Sequence, residues 1–131
     1  MRESPALTVD AVILVKGRIL LVRRRNPPFQ GSYALPGGFV ERGETVEAAV
    51  VRETEEETGL RTGVRRLLGV YSEPDRDPRG HTVTVAFELE VLGGEMRAGD
   101  DASGLKLFGL NDLPELAFDH GRIISDFVRR K

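Results

Sequence analysis

The stretch from Gly38 to Leu60, GFVERGETVEAAVVRETEEETGL, constrains this chain more than any other. Between Gly43 and Gly59 it reads as one helix, with Thr45 as a suitable N-cap and Gly59 as the residue at which helices commonly stop. At about 100° per residue, Val46, Ala49 and Val50 fall on the same side as Glu53, Glu56 and Glu57. The apolar stripe therefore runs directly into three carboxylates. A surface helix ordinarily keeps its acids opposite its stripe, so such a face is costly unless a cation neutralises it.

Hard divalent cations take oxygen ligands, and Glu53, Glu56 and Glu57, at i, i+3 and i+4, can present theirs to one point from a single rigid element. Magnesium (Mg2+) is the expected ion, with manganese (Mn2+) able to substitute. The stretch resembles, residue for residue, the signature of the Nudix hydrolases: Gly38, five residues, Glu44, seven residues, Arg52-Glu53, two residues, Glu56-Glu57, one residue, Gly59 and an apolar Leu60. It departs at Thr54, where the family usually carries an aliphatic residue, a change expected to alter helix packing without touching the ligands. The resemblance implies metal binding by Glu53, Glu56 and Glu57 and by the carbonyl of Gly37. It also implies a structural pair, Glu44 with Arg52, bracing the loop against the helix. A loop before a late strand often adds a further carboxylate in this family. Asp101 fits that place best and Asp100 is the alternative, although either is also an ordinary turn aspartate. On this reading Glu53, Glu56, Glu57 and Asp101 carry the catalysis.

In chain order, residues 8–15 (TVDAVILV) and 18–22 (RILLV) read as paired strands joined by a tight turn at Lys16-Gly17. Arg23, Arg24 and Arg25 follow, then Asn26-Pro27-Pro28, which cannot continue a central strand. For these arginines a solvated strand end and a phosphate contact are equally admissible, Arg being the usual bidentate partner of phosphate oxygens; Arg23 is taken as the candidate. The paired glycines of YALPGG let backbone approach a ligand closely. Residues 67–72 read as a strand and 73–80 (EPDRDPRG) as a charged loop stiffened by two prolines. A long alternating strand over 81–91, a turn at Gly93-Gly94 and another strand over 105–110 come next. After the turn at 111–114, Asp119 is expected to cap a final helix over 120–130, with Ile123, Ile124, Phe127 and Val128 as its apolar side. The order gives an α/β (α+β) chain, and the resemblance supplies the architecture: a Nudix-type α/β/α sandwich with a mixed β-sheet, one domain over residues 1–131.

Composition removes other chemistries. The 131 residues contain no cysteine and two histidines, which excludes disulfides and thiolate nucleophiles and gives no zinc-site pattern. A net charge of −2 offers no field for a nucleic acid duplex. No apolar run is long enough for a membrane span and no signal segment opens the chain, so a cytoplasmic protein is expected, and a homodimer is compatible with it. Acids gathered at a divalent metal with open positions suit a phosphoanhydride and an activated water.

The family hydrolyses a nucleoside diphosphate linked to a variable group, so the expected partner is a small nucleotide. The segments YSEPDRDPRGHTVTVAFELE, AGDDA and LAFDH resemble the small bacterial and archaeal ADP-ribose pyrophosphatases. That resemblance implies cleavage of ADP-ribose to AMP and ribose 5-phosphate. Arg76 and Arg79 are expected to hold the second phosphate or ribose, with Asp75 or Asp77 accepting ribose hydroxyls. A pyrophosphatase that sanitises oxidised nucleoside triphosphates is one alternative. A noncatalytic ADP-ribose sensor is another, disfavoured by the intact glutamates and by the want of a segment for a winged helix.

Overall fold

The computed structural model describes residues 3–99 and 102–130. In chain order its elements are β1 (Ala6–Val15), β2 (Arg18–Arg24), β3 (Tyr33–Ala34), β4 (Gly37–Phe39), α1 (Val46–Thr58), β5 (Leu60–Tyr71), β6 (Thr82–Gly94), β7 (Ala102–Phe108) and α2 (His120–Arg129). β1 is apolar at every position from Ala11 to Val15 because both of its faces are covered. Val9, Ala11 and Ile13 point to one side and pack with Phe87, Leu89 and, from α1, Ala49 and Val50. Val12 points to the other and packs with Ile19, Leu21 and, from α2, Ile123, Ile124 and Phe127. Successive side chains of one strand thus feed two cores, each roofed by one helix, which is the expected α/β/α sandwich.

The sheet is mixed, in the order β3-β2-β1-β6-β5, with β4 also pairing β1 and β7 also pairing β2. β1 gives one edge to β6 in parallel over residues 6–13 and the opposite edge to β4, antiparallel, over residues 8–10. It then turns at Lys16 and Gly17, both at positive φ (54° and 79°), into β2. Among the described residues no helix is long and apolar enough to cross a membrane.

Several boundaries differ from the sequence expectation. β5 begins at Leu60, directly after the helix, rather than at residue 67. Its alternation is broken by Arg61, Arg65 and Arg66 and by three register shifts against β6. Two of those arginines pair across the strands instead, Arg66 with Glu88 at 2.8 Å and Arg65 with Glu90 at 3.2 Å. Gly93 and Gly94 do not turn but close the β6 ladder opposite Arg61 and Leu60. β7 starts and ends earlier than 105–110. In α2 the buried side is His120, Ile123, Ile124 and Phe127, while Val128 is exposed. Asp119 stands at the N-cap of α2, but its carboxylate makes no capping bond because Arg76 takes it.

Candidate active site

α1 forms as its sequence dictates: the Thr45 hydroxyl accepts from the Ala48 N–H at 3.0 Å, and Gly59 ends the helix at φ 78°. The stripe of Ala49, Val50, Thr54 and Thr58 is buried against the sheet, and Glu53 and Glu57 flank it where the helix passes β4. There Gly37 and Gly38 bring backbone up to the carboxylates. The Gly37 N–H donates to Glu57 Oε2 at 3.0 Å, and a Cβ on Gly38 would stand 2.5 Å from the Glu53 carboxyl. Within a strand the N–H and C=O of one residue face the same edge, so the Gly37 carbonyl is turned toward Glu57 as well.

Arg52 organises the outer side of this face. Its Nε and Nη2 grip Glu44 at 2.7 and 2.9 Å, Nη2 also donates to the Phe39 carbonyl at 3.1 Å, and Nη1 donates to Glu53 at 3.0 Å and Glu56 at 3.2 Å. Glu44 in turn accepts from the Glu41 N–H at 2.9 Å. The Arg52 hydrogen bonds hold the Glu44 carboxyl down at about 2, and the same bonds push the Arg52 guanidinium above its ordinary value. One guanidinium therefore ties the loop, β4 and two of the three candidate metal-binding glutamates together.

This corrects the simple picture of three carboxylates meeting at one point. Among the described residues, no three acids or histidines gather tightly enough to enclose an ion by themselves. Glu56 is drawn to Arg52 and its side chain is 57% exposed. The donors on the cleft side, Glu53, Glu57 and the Gly37 carbonyl, are all oxygens, and the two glycines leave no side chain in the way. That set fits a hard divalent cation, which keeps several waters and shares its shell with substrate phosphate oxygens rather than demanding a closed protein cage. Asp101 and its alternative Asp100 lie outside the described residues.

The cleft beside this face has a volume of about 420 Å³, within the range of nucleotide-sized sites. Its other wall differs from the expectation at four positions. Arg76 does not face solvent: its side chain is 5% exposed, its Nε and Nη2 grip Asp119 at 2.9 and 2.6 Å, and Nη1 donates to the Thr82 hydroxyl at 2.8 Å. Asp77 is buried and gives both oxygens to Arg79, at 3.1 and 2.8 Å, so it holds the arginine rather than facing a ribose; burial raises its pKa, but these bonds win and lower it. Asp75 is exposed and outside the cleft lining. Arg23 points away, its Nε on the Gly31 carbonyl at 3.1 Å. Neighbouring strand residues face opposite sides, so Arg24, one position on, lines the cleft in its place.

Arg79 is the loop arginine that remains available. Asp77 fixes Nε and Nη2, the guanidinium lies 5.5 Å from the Phe39 ring centre and 5.6 Å from that of Phe118, and Nη1 has no partner among the described residues. Arg24 lies 5.0 Å from the Phe118 ring on the same wall. Phe118 holds φ at +54°, a conformation a bulky residue rarely adopts.

Sequence reasoning also missed Asp10 and His120, which form the cleft floor. Asp10 had a signal: a lone acid inside an apolar run must find partners when buried. It finds Thr84 at 2.9 Å, His120 at 3.4 Å and Arg76 at 3.9 Å. Those partners come from β6, α2 and a loop, a grouping that no local pattern announces.

Comparison with known proteins agrees with this geometry. The NUDIX domain family matches residues 4–127. An ADP-ribose pyrophosphatase of Methanocaldococcus jannaschii is 61% identical over 127 residues, covering 97% of this chain and 75% of that protein. The NUDIX domain of Shewanella oneidensis NrtR, solved in complex with ADP ribose, superimposes with a TM-score of 0.85 at 32% identity, covering 98% of this chain and 90% of that one. A bifunctional NMN adenylyltransferase/ADP ribose pyrophosphatase of Francisella tularensis, complexed with AMP and a Mn ion, gives a TM-score of 0.87 at 31% identity, covering 98% of this chain. The match there spans only 42% of the Francisella chain.

Proposed function

This chain belongs to the NUDIX family, and we propose that it is a hydrolase that cleaves the phosphoanhydride of ADP-ribose to give AMP and ribose 5-phosphate. The observation that carries the reading is that one cleft joins the acidic face of α1 to a wall of guanidinium and aromatic groups, Arg24, Arg79, Phe39 and Phe118. A substrate with two phosphates, two sugars and a flat base offers anionic, hydroxyl and stacking surfaces to such a wall.

Glu53, Glu57 and the Gly37 carbonyl would hold a divalent cation, for which we propose Mg2+ with Mn2+ as substitute. When bound, such an ion neutralises phosphate oxygens and lowers the pKa of its water. The chain's own residues prepare that site. The Gly37 N–H fixes the orientation of the Glu57 carboxylate, and Arg52 donates to Glu53 and Glu56 while its grip on Glu44 holds the loop in register. Arg79, immobilised by Asp77, presents its free Nη1 with little entropy left to lose. Asp101 remains our candidate for a carboxylate that helps deprotonate the attacking water. Arg76 holds the wall in place and is withdrawn as a substrate ligand.

The test is product analysis of ADP-ribose incubated with the purified protein and Mg2+. AMP and ribose 5-phosphate should appear in equal amounts, stop on chelation and resume when Mg2+ or Mn2+ is added back. Intact ADP-ribose in the presence of either ion would refute the assignment.

A further inference from the structure

Between β3 and β4 the chain crosses from the part of the sheet held by β2 to the part held by β1, and this crossing delivers Gly37 to the acidic face. Leu35 lies at the crossing, outside both ladders, and Pro36 beside it has no N–H. The buried Leu35 N–H donates to His120 Nδ1 at 3.0 Å. An Nδ1 that accepts leaves the ring proton on Nε2, which faces Asp10 Oδ2 at 3.4 Å. Asp10 is itself paired with Gly37 across β1 and β4, and a Cβ on Gly37 would fall 2.5 Å from Asp10 Oδ1. His120 thus holds both sides of the crossing two residues before the glycine whose N–H orients Glu57.

We propose that His120 is a positioning residue for the cation site: its Nδ1, by accepting from Leu35, sets where Gly37 stands relative to Glu57. Its ring lies 5.3 Å from that of Phe118, but its polar contacts are with the Leu35 N–H and the Asp10 carboxylate, so it acts on the cation site through the crossing and not by touching the ion's holders. The start of the crossing has an independent tie, the Ala117 N–H to the Tyr33 carbonyl at 2.9 Å, and its end is held where the Pro36 carbonyl accepts from the Ala11 N–H at 2.8 Å, so loss of His120 releases the Leu35 N–H between them without undocking β3 or β4. The inference rests on the reading of Gly37, Glu53 and Glu57 as holders of the cation.

Two amide variants separate the ring nitrogens. In His120→Asn the side-chain oxygen stands near the Nδ1 position and can accept from Leu35; in His120→Gln the amide nitrogen stands near Nε2 and can only donate to Asp10. Free Mn2+ is titrated by electron paramagnetic resonance against wild type, His120→Asn, His120→Gln and His120→Leu, and steady-state kinetics with ADP-ribose are measured alongside. Leu and Gln should weaken Mn2+ binding and lower kcat by roughly ten- to a hundredfold, with KM within about twofold, while Asn stays near wild type. A folded His120→Leu protein with wild-type Mn2+ affinity overturns the proposal. Should that variant not fold, the amide pair decides, and equal behaviour of Asn and Gln overturns it. A wild-type protein that bound no Mn2+ would instead sink the cation-site reading beneath it.

Discussion

Thr54 sits on the buried side of α1 where a hydrocarbon would pack, and its hydroxyl has no hydrogen-bond partner among the described residues. A buried hydroxyl left unpaired costs about 1–3 kcal/mol, and valine has the same branching without it. Thr54→Val should therefore raise stability by about 1 kcal/mol, seen as a rise of roughly 3–5 °C in thermal unfolding with activity unchanged. A lower Tm would mean that the hydroxyl has found a partner. For Glu53→Gln and Glu57→Gln the expectation runs the other way, since each keeps its size but loses an anionic oxygen beside Gly37 and Gly38. Turnover should fall on the order of a hundredfold at unchanged Tm, and near-normal turnover at saturating metal would move the centre elsewhere. These residues were legible because the helix period and the glutamate spacing are local facts. Arg24 in place of Arg23 was not, because a choice between strand neighbours depends on which face meets the cleft.

At the scale of elements, two ion pairs fasten loops to helices. The Glu44–Arg52 pair joins the loop before α1 to its middle, and the arginine holds the Glu44 carboxyl at about 2 against an ordinary 4.5. A carboxyl depressed in the folded state contributes stability fully above pH 4.5 and loses it as pH falls through about 2. Glu44→Gln should accordingly flatten the acid limb of the stability profile across that interval; an identical slope in variant and wild type would remove the pair's assigned role. The Arg76–Asp119 pair ties the proline-stiffened loop to the start of α2 and is nearly buried. Arg76→Met should cost about 3 kcal/mol in chemical unfolding, because it strands a carboxylate next to Asp10. Arg79→Ala should leave stability nearly intact and raise KM for ADP-ribose more than for a nucleoside triphosphate. If Arg76→Met altered only KM, the loop's two arginines would have to exchange roles. Sequence alone ranked them equally, since a charged loop does not reveal which of its ions is turned inward.

At the scale of the whole molecule, the sheet with one core under each face puts α1 and the charged loop on either side of one cleft. Sequence foretold the sandwich because β1 and α1 carry strong periodic patterns and a resemblance supplied their arrangement. The start of β5 and the short β3 and β4 escaped it. Arginines interrupt the alternation of β5, and strands of two and three residues leave no period to read. The long-range floor of Asp10, His120 and Arg76 escaped for a deeper reason: its members are more than 40 residues apart in sequence and meet only through the sheet. On the proposed function, the cleft's pairing of acids with a guanidinium-aromatic wall is expected to favour a dinucleotide-like diphosphate over a triphosphate. The most direct measurement is the ratio of kcat/KM for ADP-ribose to that for dGTP and its oxidised form, taken on one preparation with Mg2+ and identified by product. Efficient release of AMP and ribose 5-phosphate, at least about a hundredfold preferred over release of pyrophosphate from either triphosphate, is the predicted result. A preference of that size for a triphosphate would contradict the account of the substrate while leaving the cation site of α1 standing.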